Sequence, residues 1–303
     1  MTQLELLSDS RCFGGSQRRY RHQSGELACS MVFGVFLPPA ALQGARVPAV
    51  YWLSGLTCTD ENMAQKAGAQ RRAAELGLAL VLPDTSPRGA EVPGDPDGGW
   101  DFGLGAGFYV DATASPWCRH YRMHTYVVEE LPQLAEAALP LTQRRSICGH
   151  SMGGHGALVA TLRHPGRYCA VSAFAPIAHP AACPWGQKAF GHLLGPDRTT
   201  WQGWDATALL REGRRAIGPD GGSPLPILVD QGTADPFLRS QLHPEALAEA
   251  AAAVGQPLDL RLQEGYDHSY FGIASFIDDH LERHASALKE PEPEPEPARP
   301  VRG

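Results

Sequence analysis

Short apolar runs alternate along this chain with stretches in which apolar residues recur every three or four positions. Residues 28–37 read as an early strand, closed by Pro38-Pro39. Residues 49–53 read as a second, and 78–82 form a short continuous apolar run, the pattern of a parallel strand covered on both faces. Further strands are expected at 170–175, at 225–232 and at 258–262, the last by its apolar–polar alternation. Helical periodicity marks 65–76, 120–138 (ending before Pro140), 153–163 and a segment opening near Tyr270. The segment 83–109 is dense in Gly and Pro, and a loop that long in a compact domain is usually functional. Residues 178–210 read as an irregular insertion. Strand and helix alternate from Met31 to His284 without a linker-like break. The pattern predicts one α/β domain over residues 1–288, a mostly parallel sheet with helices on both faces.

One junction between a strand and a helix carries chemistry. Ser146-Ile147-Cys148 leads into Gly149-His150-Ser151-Met152-Gly153, a Gly-x-Ser-x-Gly run followed at once by a helical pattern. That context predicts a nucleophile elbow, with the serine on a sharp strained turn and glycines where a Cβ would crowd it. A serine hydroxyl needs a base to take its proton, and the base needs an orienting acid. In such a fold they follow the serine on loops beyond later strands, acid first. Asp235 lies in the loop after the 225–232 strand, and His268 in the loop after the 258–262 strand. Asp230 is the competing acid, but it lies inside its strand. Asp267 adjoins His268 and reads as a turn residue or helix cap. Two backbone N–H groups are expected to receive an oxyanion, that of Met152 and one near Leu56, in the loop Ser54 to Thr59. The same loop reads independently as a strand-to-helix connection capped by Thr59 or Asp60.

Composition narrows the partners. The 303 residues carry a net charge of −7, which leaves no basic footprint for nucleic acid. No apolar run approaches the ~18 residues of a membrane span, and residues 1–15 do not read as a signal peptide. The seven cysteines are scattered, odd in number and lack Cys-x-x-Cys, which fits a reducing compartment and gives no zinc site. Cys58 reads as a buried thiol within the oxyanion loop. His120 and His124 have i, i+4 spacing but no adjacent Glu, so they read as helix surface; His280 and His284 read as cations favoured near a helix end. His150 and His155 read as groups packed around the elbow, and Trp201 and Trp204 as packing for the insertion. Residues 289–303, in which Glu290 to Pro297 alternate Glu with Pro, are expected to form a disordered, solvated tail.

Several longer stretches go beyond the elbow: Tyr51 to Thr59, Asp84 to Gly89, Trp100 to Gly103, Gly105 to Thr113, Ser172 to Ile177, Cys183 to Gly186 and Gln263 to Tyr270. Through them the chain, from about Cys29 to His284, resembles the S-formylglutathione hydrolases, the esterase D family. The resemblance implies an α/β-hydrolase fold and hydrolysis of S-formylglutathione to glutathione and formate. It implies Ser151 as nucleophile, Asp235 as acid and His268 as base, in a cytoplasmic homodimer without cofactor or metal. Trp185, Cys58 and Lys188 are the candidate substrate-binding residues. The chain departs from the family pattern at Phe271-Gly272-Ile273, at Gln187 and in its Glu/Pro tail, away from Ser151, Asp235 and His268.

Overall fold

A computed structural model describes residues 4–289. The strands are β1 (Glu5–Cys12), β2 (Gly15–Ser24), β3 (Cys29–Leu37), β4 (Val47–Leu53), β5 (Ala79–Pro83), β6 (Leu141–His150), β7 (Val171–Phe174), β8 (Ile227–Gly232) and β9 (Leu258–Gln263). They form one sheet in the order β1-β2-β3-β5-β4-β6-β7-β8-β9. From β5 to β9 every pairing is parallel, while β1, β2 and β3 add an antiparallel edge. This is the α/β-hydrolase architecture. The β1–β2 hairpin is absent from the sequence pattern because it is polar: most of β1 is exposed.

The helices are α1 (Pro39–Leu42), α2 (Asp60–Lys66), α3 (Gln70–Leu76), α4 (Met123–Thr125), α5 (Leu131–Ala138), α6 (Met152–Arg163), α7 (Pro184–Leu193), α8 (Ala206–Arg211), α9 (Pro244–Ala253) and α10 (Tyr270–Leu288). Side chains alternate along the parallel strands and build two cores. Ala49, Tyr51, Leu53 and Ile147 face α6 through Ala157 and Leu158. Val50, Trp52 and Cys148 face α10 through Ile273, Ile277 and Leu281.

Three expectations about elements change. The helix expected over 65–76 is two helices, because Gly68 (φ +69°) turns the chain between α2 and α3. A capping box on Thr59 and Asn62 starts α2 earlier than the periodicity suggested. The segment 120–138 becomes helical only at Met123 and passes through a π-turn at Tyr126–Glu130 before α5. The insertion 178–210 is not irregular. It holds α7, capped by Cys183, and the start of α8, capped by Asp205.

The histidines are the larger correction. His120 and His124 are buried, not on a helix surface: His120 Nδ1 bonds to Leu27 O (2.8 Å) and His124 Nε2 meets His164 Nε2 (2.8 Å). His280 and His284 point under the sheet. There Asp230 Oδ2 meets His280 Nε2 (3.0 Å), and Ser172 Oγ meets both His280 Nδ1 (2.8 Å) and His284 Nε2 (2.7 Å). Burial holds both imidazoles below their usual range, His284 down to about 3. Neither is the solvated helix-end cation expected. Burial alone would raise the Asp230 carboxyl, but hydrogen bonds from His280, Arg261 and Gln263 outweigh it and bring the group to about 2.

Among the described residues no helix is long and apolar enough to cross a membrane. The Glu/Pro tail, apart from Lys289, lies outside the described residues.

A neutral buried imidazole has a sign that can be tested. His284 takes up a proton near pH 6.5 when unfolded and only at about 3 when folded. Stability is therefore expected to fall as pH drops from 6.5 towards 3, by about 1.4 kcal/mol per pH unit from this group. His284→Asn is expected to flatten the slope of unfolding free energy between pH 6 and 4 by that amount, measured by urea titration at each pH. An unchanged slope would count against the buried neutral imidazole.

Candidate active site

A sharp turn ends β6. Ser151 has φ +58° and ψ −118°, a strained backbone for a residue with a Cβ. It is tolerated because both flanking glycines leave room. A Cβ on Gly149 would sit 2.2 Å from the Gly153 carbonyl oxygen, and one on Gly153 would sit 1.9 Å from that of Leu53. The close approach lays the start of α6 against the end of β4. Gly55, just beyond β4, reaches Ser151 itself: a Cβ there would lie 3.1 Å from the serine Cβ. The loop 54–59 is thus pressed onto the elbow.

The ends of β8 and β9 bring in two further side chains. His268 Nε2 lies 2.9 Å from Ser151 Oγ, and His268 Nδ1 lies 2.5 Å from Asp235 Oδ2. Asp235 Oδ1 accepts the Phe237 N–H (2.8 Å), and Gln231 Nε2 donates to Oδ2 (3.3 Å). Asp230, the competing acid, is instead bound by Arg261, Gln263 and His280. Asp267 accepts from the N–H and hydroxyl of Ser269, the turn role expected of it. An aspartate, an imidazole and a serine in this line can move a proton from the hydroxyl while the carboxylate steadies the charged ring.

Above the serine lies a cavity of ≈ 190 Å³ lined by Leu56, Thr57, Cys58, Trp100, His150, Trp185, Phe237 and His268, among others. Trp185 meets Trp100 edge-on (5.6 Å between centroids) and Phe237 (4.7 Å), and Phe237 meets the His268 ring edge-on (5.1 Å). Trp185 and Cys58 therefore face the serine. Burial raises the Cys58 thiol, so the thiol form is favoured. Lys188 does not line the cavity, contrary to expectation. Its ammonium is held by Asp95 (2.6 Å) and Asp101 (2.5 Å), which ties α7 to the Gly/Pro-rich loop. Trp100 and Phe237 are wall residues that the sequence reading did not place. Trp100 opens a stretch already singled out, but nothing local in the sequence aims it at Ser151.

The long loop 83–109 has a second task. The Cys58 carbonyl accepts Thr85 Oγ1 (2.5 Å) and an Arg88 nitrogen (3.2 Å), and Arg88 is itself held by Asp84. The Thr57 N–H donates to Gly105 O (2.8 Å), and the Tyr109 hydroxyl donates to Ser54 O (2.9 Å). These bonds clamp the loop 54–59 while leaving the N–H of Leu56, like that of Met152, without a protein partner among the described residues. His155 Nε2 donates to Phe108 O (3.0 Å) and joins the clamp to α6; burial lowers that imidazole to about 4. His150 packs 4.6 Å from the His268 ring, its basicity suppressed mainly by burial.

The Esterase family model matches residues 24–281 of the chain. The chain is 52% identical over 288 residues to the S-formylglutathione hydrolase of Rattus norvegicus, spanning 94% of this chain and 99% of that one. It is 53% identical over 287 residues to that of Mus musculus, with the same coverage. This chain belongs to the S-formylglutathione hydrolase family. The solved structure of an S-formylglutathione hydrolase from Agrobacterium tumefaciens superposes with a TM-score of 0.89 at 45% identity, covering 94% of this chain and all of that one. The family places this elbow and its cavity within a thioesterase lineage.

The strain at the elbow gives a stability prediction. Glycine relieves a strained φ at a gain of about 1–3 kcal/mol, against about 0.5–1 kcal/mol of added backbone entropy. Ser151→Gly is therefore expected to unfold at higher urea concentration than Ser151→Ala. Gly153→Ala, with backbone oxygen 1.9 Å from the new methyl, is expected to lower the midpoint sharply or prevent soluble folding.

Proposed function

We propose that this enzyme hydrolyses S-formylglutathione to glutathione and formate, with Ser151 as nucleophile, His268 as base and Asp235 as the orienting acid. The observation that carries the reading is the continuous hydrogen-bonded line from Ser151 through His268 to Asp235 beneath a small aromatic-walled cavity. Ser151 Oγ attacks the formyl carbon as His268 takes its proton. The oxyanion is received by the N–H groups of Met152 and Leu56. Each such donor is worth about 3 kcal/mol, or ~100-fold in rate. His268 then protonates the departing glutathione sulfur. Water attacks the formyl-serine with His268 again as base, which releases formate and restores the hydroxyl.

Small-acyl preference follows from crowding. Trp185, Phe237 and the clamped loop close in on the serine, and each methylene that fails to fit costs roughly 1–3 kcal/mol. Trp185 and Cys58 are the substrate-contacting candidates that the cavity supports. The homodimer and the cytoplasmic location implied by the resemblance belong to the same proposal. Seven free cysteines support a reducing compartment, and light scattering on the purified protein tests the dimer. The relatives at 52–53% identity favour this activity over a broader carboxylesterase or an acyltransferase.

Steady-state turnover of S-formylglutathione against p-nitrophenyl acetate decides between them. The thioester is expected to have much the higher kcat/KM, and Ser151→Ala is expected to abolish both activities. Equal or better ester turnover would favour the carboxylesterase. Faster turnover with an alcohol acceptor than with water would favour the acyltransferase. Thioester activity surviving in Ser151→Ala would overturn the nucleophile.

A further inference from the structure

The acid of the site is held by a side chain for which the mechanism has so far had no use. Gln231, in β8, is fully buried. Its Nε2 donates to Asp235 Oδ2 (3.3 Å) and to the Gly232 carbonyl (3.1 Å), while its Oε1 is buried without a protein partner among the described residues. Both neighbours of Nε2 can only accept. A flipped amide would set its oxygen against a carboxylate and a carbonyl, so the environment dictates that the NH2 faces Asp235.

We propose that Gln231 is a positioning residue for the hydrolysis, acting on His268 through Asp235. The inference rests on the proposed Ser151–His268–Asp235 assignment. Asp235 Oδ1 is tied to the Phe237 N–H, which fixes one end of the carboxylate. Oδ2 must hold the imidazole at 2.5 Å, and Gln231 is the second donor to that same oxygen. Together the three donors leave the carboxylate a single orientation. Gln231 also lines a small cavity of ≈ 20 Å³ behind the imidazole, shared with Asp230, Gln263, His150 and His268. That volume suffices for a single water.

Two volume-conserving variants separate positioning from packing. Gln231→Met fills the space without a donor. Gln231→Glu keeps the shape and sets a carboxylate against Asp235. A charge-assisted hydrogen bond in such a site is worth about tenfold to a hundredfold. Gln231→Met is expected to lower kcat for S-formylglutathione about tenfold with KM nearly unchanged, and Gln231→Glu to lower it further. The low-field proton resonance of His268 Nδ1–H is expected to move upfield in both. Should either variant fold poorly, Asp235→Asn supplies an independent reading from an intact Gln231. The Gln231 side-chain amide protons are expected to be downfield and slow to exchange, and to shift when Asp235 becomes Asn. Wild-type kcat and an unmoved His268 resonance in folded Gln231 variants would overturn the inference. So would a Gln231 amide indifferent to Asp235→Asn. Activity undiminished in Asp235→Asn would instead overturn the assignment of the acid itself.

Discussion

The approach of α6 to the end of β4 is the constraint on which the rest of the site depends. Gly153 lies so near the Leu53 carbonyl that no side chain fits between them. That closeness brings the loop 54–59 onto Ser151. It also leaves Ser151 in a conformation that costs free energy. The surrounding sheet over-determines that conformation: the Ser151 N–H donates to Phe174 O (2.9 Å), and its carbonyl accepts from His155 and Ile177. Backbone strain at the nucleophile is thus held by hydrogen bonds to α6 and to both ends of the β7 turn.

Around the elbow, two polar systems run on opposite sides of β8. One reaches the cavity at Ser151 and His268 and runs inward through Asp235 to Gln231. The other lies between the sheet and α10: Asp230, His280, Ser172 and His284, with Cys148 near the hydroxyl (3.1 Å from Ser172 Oγ). Both contain an aspartate, a histidine and a serine. Access separates them. The second lies buried beneath α10, and its hydrogen bonds fasten β6, β7 and β8 to that helix. An aspartate placed inside a parallel strand is available to the interior. One placed beyond the strand end is available to a substrate.

The Gly/Pro-rich loop shows how a segment without regular structure can order a site. Thr85 and Arg88, the latter held by Asp84, grip the Cys58 carbonyl, Gly105 accepts the Thr57 N–H and Tyr109 reaches Ser54. The same loop supplies Trp100 to the cavity wall, and Asp95 and Asp101 to Lys188. The loop 54–59, the cavity wall and α7 are therefore tied to one another. Lys188, a reasonable candidate for an anionic substrate, is already neutralised in joining them.

What was legible in the sequence is what local chain chemistry dictates. The apolar runs marked the parallel strands because both sheet faces are covered. The glycines around Ser151 marked the elbow because only glycine tolerates that crowding. Chain order put Asp235 and His268 beyond strand ends, and the longer stretches pointed to the family. Other features were invisible because their causes are distant in sequence. The β1–β2 hairpin is polar and pairs through its backbone and through surface ion pairs such as Arg18–Asp9 and Arg21–Glu5. Gly68 divides a helix whose periodicity runs straight through it. His280 and His284 look like helix-end cations until the sheet is laid over them and burial removes the charge. Trp100, Phe237 and Gln231 reach the site from separate loops and strands, and no local pattern records where such a side chain will point. The sequence determined the buried parallel strands and the elbow turn, because neighbouring residues decide those. Only the tertiary structure decided which polar groups meet, because hydrogen-bond partners 33 and 117 residues away must be brought within 3 Å by the packing of the whole sheet.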